Sequence, residues 1–462
     1  MRESWLERQR FAVWGLARSG KAAANLLARH GKKVVVSDIR DAEVIADAAS
    51  ELDDDVEWLG GGNIIGDAEI IVTSPGLRPG LEVFQRARER GIPVISEVEL
   101  AFDASDSPWV AITGTDGKTT TTSLVGAMLS AGGRDHVVAG NIGTALCDVV
   151  DELDADAVVV AELSANQLWS CHHLQVQTAA ITNIAEDHLD YFDDFAEYPA
   201  AKHRLVKLQG TQGEAVLPGF DAALRQELAG YATGGTTYFG VGLEQIPAGE
   251  RAVYFDDAGV GRWRTDGGEG IWLQDFAEVD LIGPHNQLNA ACAAAIARTV
   301  GVGWDAIATG LTQFAPLPHR MEPVATVEGV RYIDDSKATN AHASLAGLQG
   351  VDTPLVVIAG GRDKGLVLDE WASQVARRAD LSVVIGEISE RMSQLLRQAG
   401  GAVHGAATLE EAVTIAHKNA RPGSTVVLSP ACSSYDMFTS YKERGRHFQQ
   451  AVRALMSTTP SS

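Results

Sequence analysis

The short run Trp109-Val-Ala-Ile-Thr113 passes directly into Gly114-Thr-Asp-Gly-Lys-Thr119 and then into Thr120-Thr-Thr-Ser-Leu-Val-Gly-Ala-Met-Leu129. That order reads as strand, glycine loop and helix, the start of a parallel α/β unit. Loop amides and a helix N-terminus can cradle phosphate oxygens, Lys118 can reach the outer phosphates, and Thr119 can ligate Mg²⁺. Ile112 stands where a full Walker A loop has its first glycine. An ordinary glycine turn is the weaker reading, because Gly-Lys-Thr after a strand has a mechanism.

The same alternation runs along the chain. Phe11–Trp14, the turn Gly15–Gly20, a helix over Lys21–His30 and the buried-type strand Lys33–Asp38 open it, with strands at Ala68–Val72 and Pro93–Ile95. After the polar linker Asp103–Pro108, strands are predicted at Ala157–Ala161 and Thr178–Asn183, β-hairpins between Ala215 and Ile282, and a helix over Asn289–Val300. Beyond Pro316-Leu-Pro318, strands fall near Arg331–Ile333, Leu355–Ala359, Ser382–Ile385 and Thr425–Leu428. The reading is three α/β domains in series over 1–105, 106–316 and 317–462: a Rossmann-like N-terminal domain, a central P-loop ATPase-type domain with added hairpins, and a Rossmann-like C-terminal domain.

The net charge of −23 argues against nucleic acid as the main partner, since phosphate neutralisation needs clustered Lys and Arg. Anionic nucleotides must then be held by loop amides, helix N-termini and a few placed cations. Cys147, Cys171, Cys292 and Cys432 lie far apart without a CxxC pair, which suits reduced, buried thiols. Neither an apolar signal core nor an 18-residue apolar run is present, so a cytoplasmic protein without a membrane partner is expected.

Other residues suit metal and triphosphate chemistry. Glu162 follows Val158-Val-Val-Ala161, His188 lies in Asn183-Ile-Ala-Glu-Asp-His-Leu-Asp190, and Lys202 sits in a helix beginning near Pro199. Groups at the C-terminal ends of parallel strands stand where open α/β sheets bind ligands. Taken singly, each is better explained as a structural residue. Gly15-x-Ala-x-x-Gly20 with Asp38 accommodates NAD binding, UDP binding or helix–strand packing equally well.

Gly114–Thr119, Glu162-Leu-Ser164 with Gln167-Leu168, Asn183…Glu186-Asp-His188, Gly283-Pro-His-Asn-Gln-Leu-Asn289, Leu317-Pro-His-Arg320, Asp334-Asp-Ser-Lys-Ala-Thr-Asn340 and Ser429-Pro-Ala-Cys-Ser-Ser434 occur in that order. Together, over nearly the whole chain, they resemble the Mur ligases. Most of these motifs are shared with folylpolyglutamate synthases; Asp335–Asn340, Ser429–Ser434 and Tyr435-Asp-x-Phe438 point to the D-glutamate-adding member. The resemblance implies ADP-forming, ATP- and Mg²⁺-dependent joining of D-glutamate to UDP-N-acetylmuramoyl-L-alanine in peptidoglycan synthesis, by a monomer, through an acyl phosphate.

It also implies residue roles. Gly114, Thr115, Asp116, Gly117, Lys118, Thr119 and Thr120 would hold the ATP phosphates. Asn286 and Asn289 would lie on the adenine side, and Arg320 and Asp335 would reach phosphates and ribose. Thr119, Glu162, His188 and Lys202, the last as a carbamate, would serve magnesium. Asn141 and His319 would flank the reacting carboxylate. Lys337, Thr339, Lys364, Ser434 and Tyr441 would bind the amino acid. Gly15, Leu16, Ala17, Arg18, Ser19, Asp38, Thr73, Ser74, Pro75 and Gly76 would hold the UDP group.

Asp116 departs from the family's asparagine, Ala165-Asn166 from its common Ser-Phe pair, and Gly360-Gly-Arg-Asp-Lys364 agrees in outline only. The alternatives are another Mur or folylpolyglutamate-type ligase, an NAD-dependent oxidoreductase that would leave Gly114–Thr119 idle, and a non-catalytic binding protein on a decayed ligase scaffold.

Overall fold

The computed structural model describes residues 4–185, 192, 196–209, 211–228, 230–232, 234–363 and 365–458. Three sheets follow one another along the chain. The first takes β1 (Arg10–Trp14), β2 (Lys33–Ser37), β3 (Glu57–Leu59), β4 (Ile70–Thr73) and β5 (Val94–Ser96), all parallel, in the order β3-β2-β1-β4-β5. β1 and β4 are buried almost throughout, as parallel strands covered on both faces must be.

The second sheet has nine strands: β6 (Trp109–Thr113), β7 (His136–Gly140), β8 (Val158–Glu162), β9 (Thr178–Ile181), β10 (Glu214–Pro218), β11 (Thr236–Val241), β12 (Ala252–Phe255), β13 (Gly261–Thr265) and β14 (Gly268–Leu273). Their order is β14-β13-β12-β11-β10-β9-β6-β8-β7. β9 to β12 pair in parallel and only β12-β13-β14 is antiparallel, so the hairpins expected from Ala215 onward occupy just the second half of that stretch. The helix Ala222–Leu228 and the turn Leu243–Gln245 supply the connections that keep β10, β11 and β12 parallel.

The third sheet contains β15 (Glu322–Val327), β16 (Val330–Asp334), β17 (Leu355–Gly360), β18 (Leu381–Ile385), β19 (Val403–Gly405) and β20 (Thr425–Leu428) in the order β15-β16-β20-β17-β18-β19. It is parallel except for the β15-β16 hairpin at its edge.

The chain divides into two compact units. One holds the first two sheets, residues 1–279 and 287–314, and the other holds residues 280–286 and 315–462. Within the first unit a single apolar core runs from Phe11, Val13 and Val72 through Val98 and Leu100 to Trp109, Ala111 and Val159. The helix Glu97–Asp103, capped by the Ser96 hydroxyl on the Glu99 amide, follows β5 and buries Val98 and Leu100 in that core. All four cysteines are free and buried, as expected. Among the described residues no helix is long and apolar enough to cross a membrane.

Candidate active site

β6 ends at the glycine loop, and the helix Lys118–Ala131 begins inside it, two residues earlier than its apolar pattern suggested. Gly117 caps that helix at φ 79°. A Cβ there would lie 2.2 Å from Asn289 Oδ1, so only glycine lets Asn289 approach so closely. Asn289 therefore sits against the phosphate loop, where its Oδ1 also accepts from Thr121 Oγ1 at 3.4 Å. Asn286 donates to the Ile282 carbonyl at 2.8 Å.

The segment after β9 fastens the loop from one side. Thr182 Oγ1 and Asn183 Nδ2 donate to the Asp116 carbonyl at 2.6 and 3.1 Å, and the Asp116 amide donates to Asn183 Oδ1 at 2.9 Å. The Thr115 hydroxyl lies 3.1 Å from the Tyr198 hydroxyl on the helix Glu197–Leu208. Lys118 Nζ donates to the Gly114 and Thr115 carbonyls at 2.9 and 2.7 Å. Lys202, 1% exposed, also donates to the Gly114 carbonyl, at 2.6 Å, with its Nζ 4.5 Å from the Tyr198 ring centre.

Glu162 ends β8, opposite Ile112 of β6 on one side and Gly140 of β7 on the other. Its Oε1 accepts from Asn141 Nδ2 at 2.8 Å. Its Oε2 is buried and has no hydrogen-bond partner. A buried carboxylate oxygen left so is costly unless a cation takes it, and a hard oxygen beside a phosphate loop is what Mg²⁺ accepts. The donor set thus fits the metal. The described residues bring Gly114–Thr119, Asn141, Glu162, Lys202 and Asn289 to one end of the sheet. His188 lies outside them.

The motif Ser164…Gln167 has a structural explanation: the two side chains form a reciprocal capping box on the turn Ala165–Leu168. Asn166, one of the departures, donates to the Pro75 carbonyl at 3.3 Å, on the Thr73–Gly76 segment that follows β4.

In the first sheet Asp38 lies where expected, after β2, 5% exposed. Arg40, which sequence reasoning passed over, grips both its oxygens at 2.9 and 2.7 Å, while the Leu16 amide donates to Oδ2 at 2.8 Å. The Arg40 guanidinium, with these amide donors, holds the Asp38 carboxyl far below the usual range against the opposing cost of burial. The acid thereby ties the Gly15–Gly20 turn to the strand end. Ser74 Oγ donates to the Gly15 carbonyl at 3.1 Å, completing the tie from β4. An acid and an arginine two residues apart after a strand was the available signal for Arg40.

The second unit gathers another set. His319, at φ 64°, has Nδ1 2.7 Å from Asp334 Oδ2 at the end of β16. Burial raises the Asp334 carboxyl, but donors from His319, Ser336 and Gln449 outweigh it and leave it below the ordinary value. A Cβ at position 445 would lie 2.2 Å from His319 Nδ1, which explains Gly445. Lys337 Nζ stands 4.2 Å from the Tyr441 ring centre, and the Tyr441 ring meets His319 edge-on at 6.3 Å. Three expected residues thus converge.

Ser434 is buried and its carbonyl accepts from the Phe438 amide at 2.9 Å, while the Thr339 amide donates to the Lys337 carbonyl at 2.8 Å. Arg320 is half-buried. Lys364 lies outside the described residues. Asp335 is buried, accepting from Ser429 Oγ at 3.2 Å and the Met321 amide at 3.3 Å, and burial pushes its carboxyl up to about 8.

Arg444, 1% exposed, was not foreseen. It donates to the carbonyls of Ser336, Gly360 and Cys432 at 2.9, 3.3 and 3.0 Å, tying together the three segments around Lys337, Arg362 and Ser434. Burial lowers its guanidinium to about 10.

A glycine loop closed by a helix N-terminus, with a buried acid at the next strand end, defines a phosphate-binding α/β protein. Comparison with known proteins narrows that class. The MurD-like N-terminal domain of Mur ligases matches residues 9–96, the Mur ligase middle domain residues 112–297, and the Mur ligase glutamate ligase domain residues 319–432. The UDP-N-acetylmuramoylalanine–D-glutamate ligase of Salinibacter ruber is 38% identical over 461 residues, 98% of this chain and 99% of its own length. That of Desulfatibacillum aliphaticivorans is 38% identical over 455 residues, 97% of this chain and 99% of its own. The fold is shared with the MurF ligase from Thermotoga maritima in complex with ADP, at TM-score 0.63 and 16% identity over 99% of this chain and 100% of that one. The chain belongs to the Mur ligase family.

Proposed function

We propose that this protein is an ATP-dependent, ADP-forming ligase that joins D-glutamate to UDP-N-acetylmuramoyl-L-alanine in peptidoglycan synthesis. The observation that supports it most is the buried, partnerless Oε2 of Glu162 beside the phosphate loop, in a chain 38% identical end to end to ligases of that name. The three domains would divide the work: 1–105 holds the UDP group, 106–316 the ATP, and 317–462 the amino acid. The protein acts in the cytoplasm as a monomer.

An amide does not form from a carboxylate at neutral pH without activation. The substrate carboxylate attacks the γ-phosphate of ATP and releases ADP. The amine of D-glutamate then adds to the acyl phosphate, and the tetrahedral intermediate expels phosphate. Thr119, Glu162, His188 and a carbamylated Lys202 would hold Mg²⁺, which would supply neutralisation of charge on the transferring phosphoryl group. Lys118 and the loop amides bind the phosphates, and Asn289 steadies the loop at Gly117. Asn141 and His319 orient the reacting carboxylate, while Lys337, Thr339, Lys364, Ser434 and Tyr441 place the amine. Arg320 and Asp335 contribute to ATP from the C-terminal domain. Side chains do little covalent work; alignment and charge neutralisation carry the rate.

ADP release, measured with UDP-N-acetylmuramoyl-L-alanine and a panel of amino acids, tests the assignment. D-glutamate should support turnover and L-glutamate should not. ADP release with a different amino acid would move the protein to another member of the family, and no ADP release with any would sink the ligase reading.

A further inference from the structure

Beyond the end of β7 at Gly140, the chain to Glu152 forms two short 3₁₀ turns and no longer element, yet it carries Asn141, whose amide donates to Glu162. Its position is set largely by groups from the first sheet's elements. Arg18, the first residue of the helix Arg18–Arg29 and part of the glycine turn after β1, donates to the Gly143 carbonyl at 2.6 Å and the Gly140 carbonyl at 3.0 Å. The two carbonyls bracket Asn141. At the far end of the same helix Arg29 donates to the Cys147 carbonyl and to Asp151, both at 3.0 Å. Glu97 accepts from the Cys147 amide at 2.9 Å.

We infer that Arg18 is a positioning residue for the metal site. Its guanidinium fixes the Gly140–Gly143 turn so that Asn141 holds Glu162 Oε1 and leaves Oε2 directed to the cation. This rests on the reading of Glu162 as a magnesium ligand. A planar guanidinium suits the task because it spans two carbonyls with one rigid fork, which an ammonium does not. An exposed arginine on a surface turn would otherwise be worth little. Here its two acceptors belong to the backbone on either side of Asn141, and only two hydrogen-bonding steps, Arg18 to that backbone and Asn141 to Glu162 Oε1, separate Arg18 from the carboxylate that carries the partnerless oxygen. The uridine-side loop and the metal site are then parts of one device. A residue that orients a metal ligand commonly changes metal affinity or activity by about 10–100-fold.

The test uses the full-length protein with an unreactive ATP analogue and Mn²⁺ as a spectroscopic stand-in for Mg²⁺, read by electron paramagnetic resonance. Arg18→Ala should weaken Mn²⁺ binding about tenfold, the low end for such a residue, and lower kcat, with the unfolding midpoint near that of the wild type. Arg18→Lys should fall between, and Arg29→Ala should leave Mn²⁺ affinity unchanged while lowering the unfolding midpoint. Wild-type Mn²⁺ affinity in Arg18→Ala, with only the KM for the uridine substrate raised, overturns the inference and makes Arg18 a substrate contact. Equal losses of Mn²⁺ affinity in Arg18→Ala and Arg29→Ala, tracking their stability, overturn it as well. A wild-type protein that takes up no Mn²⁺ overturns the metal-site reading of Glu162 itself.

Discussion

Lys118 and Lys202 share one acceptor: both Nζ atoms donate to the carbonyl oxygen of Gly114, at 2.9 and 2.6 Å. One comes from the phosphate loop and the other from the helix Glu197–Leu208, which places the Lys202 amine within the loop's own hydrogen-bond system. Two ammonium groups converging on one carbonyl repel each other in a site where Lys202 is cut off from water. A carbamate on Lys202 replaces that repulsion with attraction and offers oxygens to a metal.

Lys202→Arg should therefore be nearly inactive although the charge is kept, because a guanidinium forms no carbamate. Carbamylation needs the neutral amine and dissolved CO₂. Wild-type turnover should fall in CO₂-depleted buffer as pH is lowered, and recover on adding bicarbonate. Close to full activity in the arginine variant would remove Lys202 from the metal site and leave Glu162 and His188 to hold it.

Lys118→Ala should abolish ATP turnover and leave binding of the UDP substrate intact. Lys118 lies in the loop after β6, whereas the Gly15–Gly20 turn is built on β1 and held by Asp38 and Ser74. Calorimetry with each nucleotide separates the two sites, and equal loss of both would contradict the division of labour.

Asp116→Asn should tighten MgATP binding by roughly 0.5–1 kcal/mol, the gain from removing one like charge about 4–8 Å from the phosphates where screening is close to that of water. The contacts of Asp116 that hold the loop to Thr182 and Asn183 run through its main chain and survive the change. Weaker binding in the variant would mean that the carboxylate assists the metal.

What could be read from residues alone was the repeated strand–glycine turn–helix unit. Trp109–Thr113 and Thr425–Leu428 fall at the predicted ends because uniformly buried parallel strands show as unbroken apolar runs. β15 escaped notice because it is an edge strand whose apolar pattern is broken by Glu322 and Thr326, with Pro323 beside a bulge that no inner strand would tolerate. The parallel pairing of β10, β11 and β12 was hidden for another reason: their connections are short and turn-rich, and local pattern does not reveal which way a strand enters a sheet.

At the site, Lys118 stood out by its glycine-loop motif, and Glu162 and Lys202 only through the resemblance to the Mur ligases. Arg40 and Arg444 did not, since each acts on backbone or carboxylate groups that only the fold brings near. Asn289 was expected on the adenine side, and its approach to Gly117 depends on a missing Cβ that no spacing rule reports.

Asp335 sets the last expectation. Burial raises its carboxyl from 3.8 to about 8 in the folded protein, opposed by the Met321 amide, the Ser429 hydroxyl and the charge of Arg320. A group whose folded value lies above its unfolded one binds the proton more tightly in the native state. Its contribution to stability is complete below about pH 4 and is lost as pH rises through about 8. Asp335→Asn keeps an acceptor for the Met321 amide, can donate to Ser429 Oγ, and removes the charge that must be buried at alkaline pH. The variant should melt about 2–4 °C above the wild type at pH 9, the shift that roughly 1 kcal/mol produces in a unit of this size. The difference should shrink as pH falls toward 6, where the wild-type acid is already protonated. Thermal melts of both proteins across pH 6–9 measure it. A variant that melts lower by the same amount at every pH would show that Asp335 is held as a carboxylate throughout, with Arg320 rather than burial governing its charge.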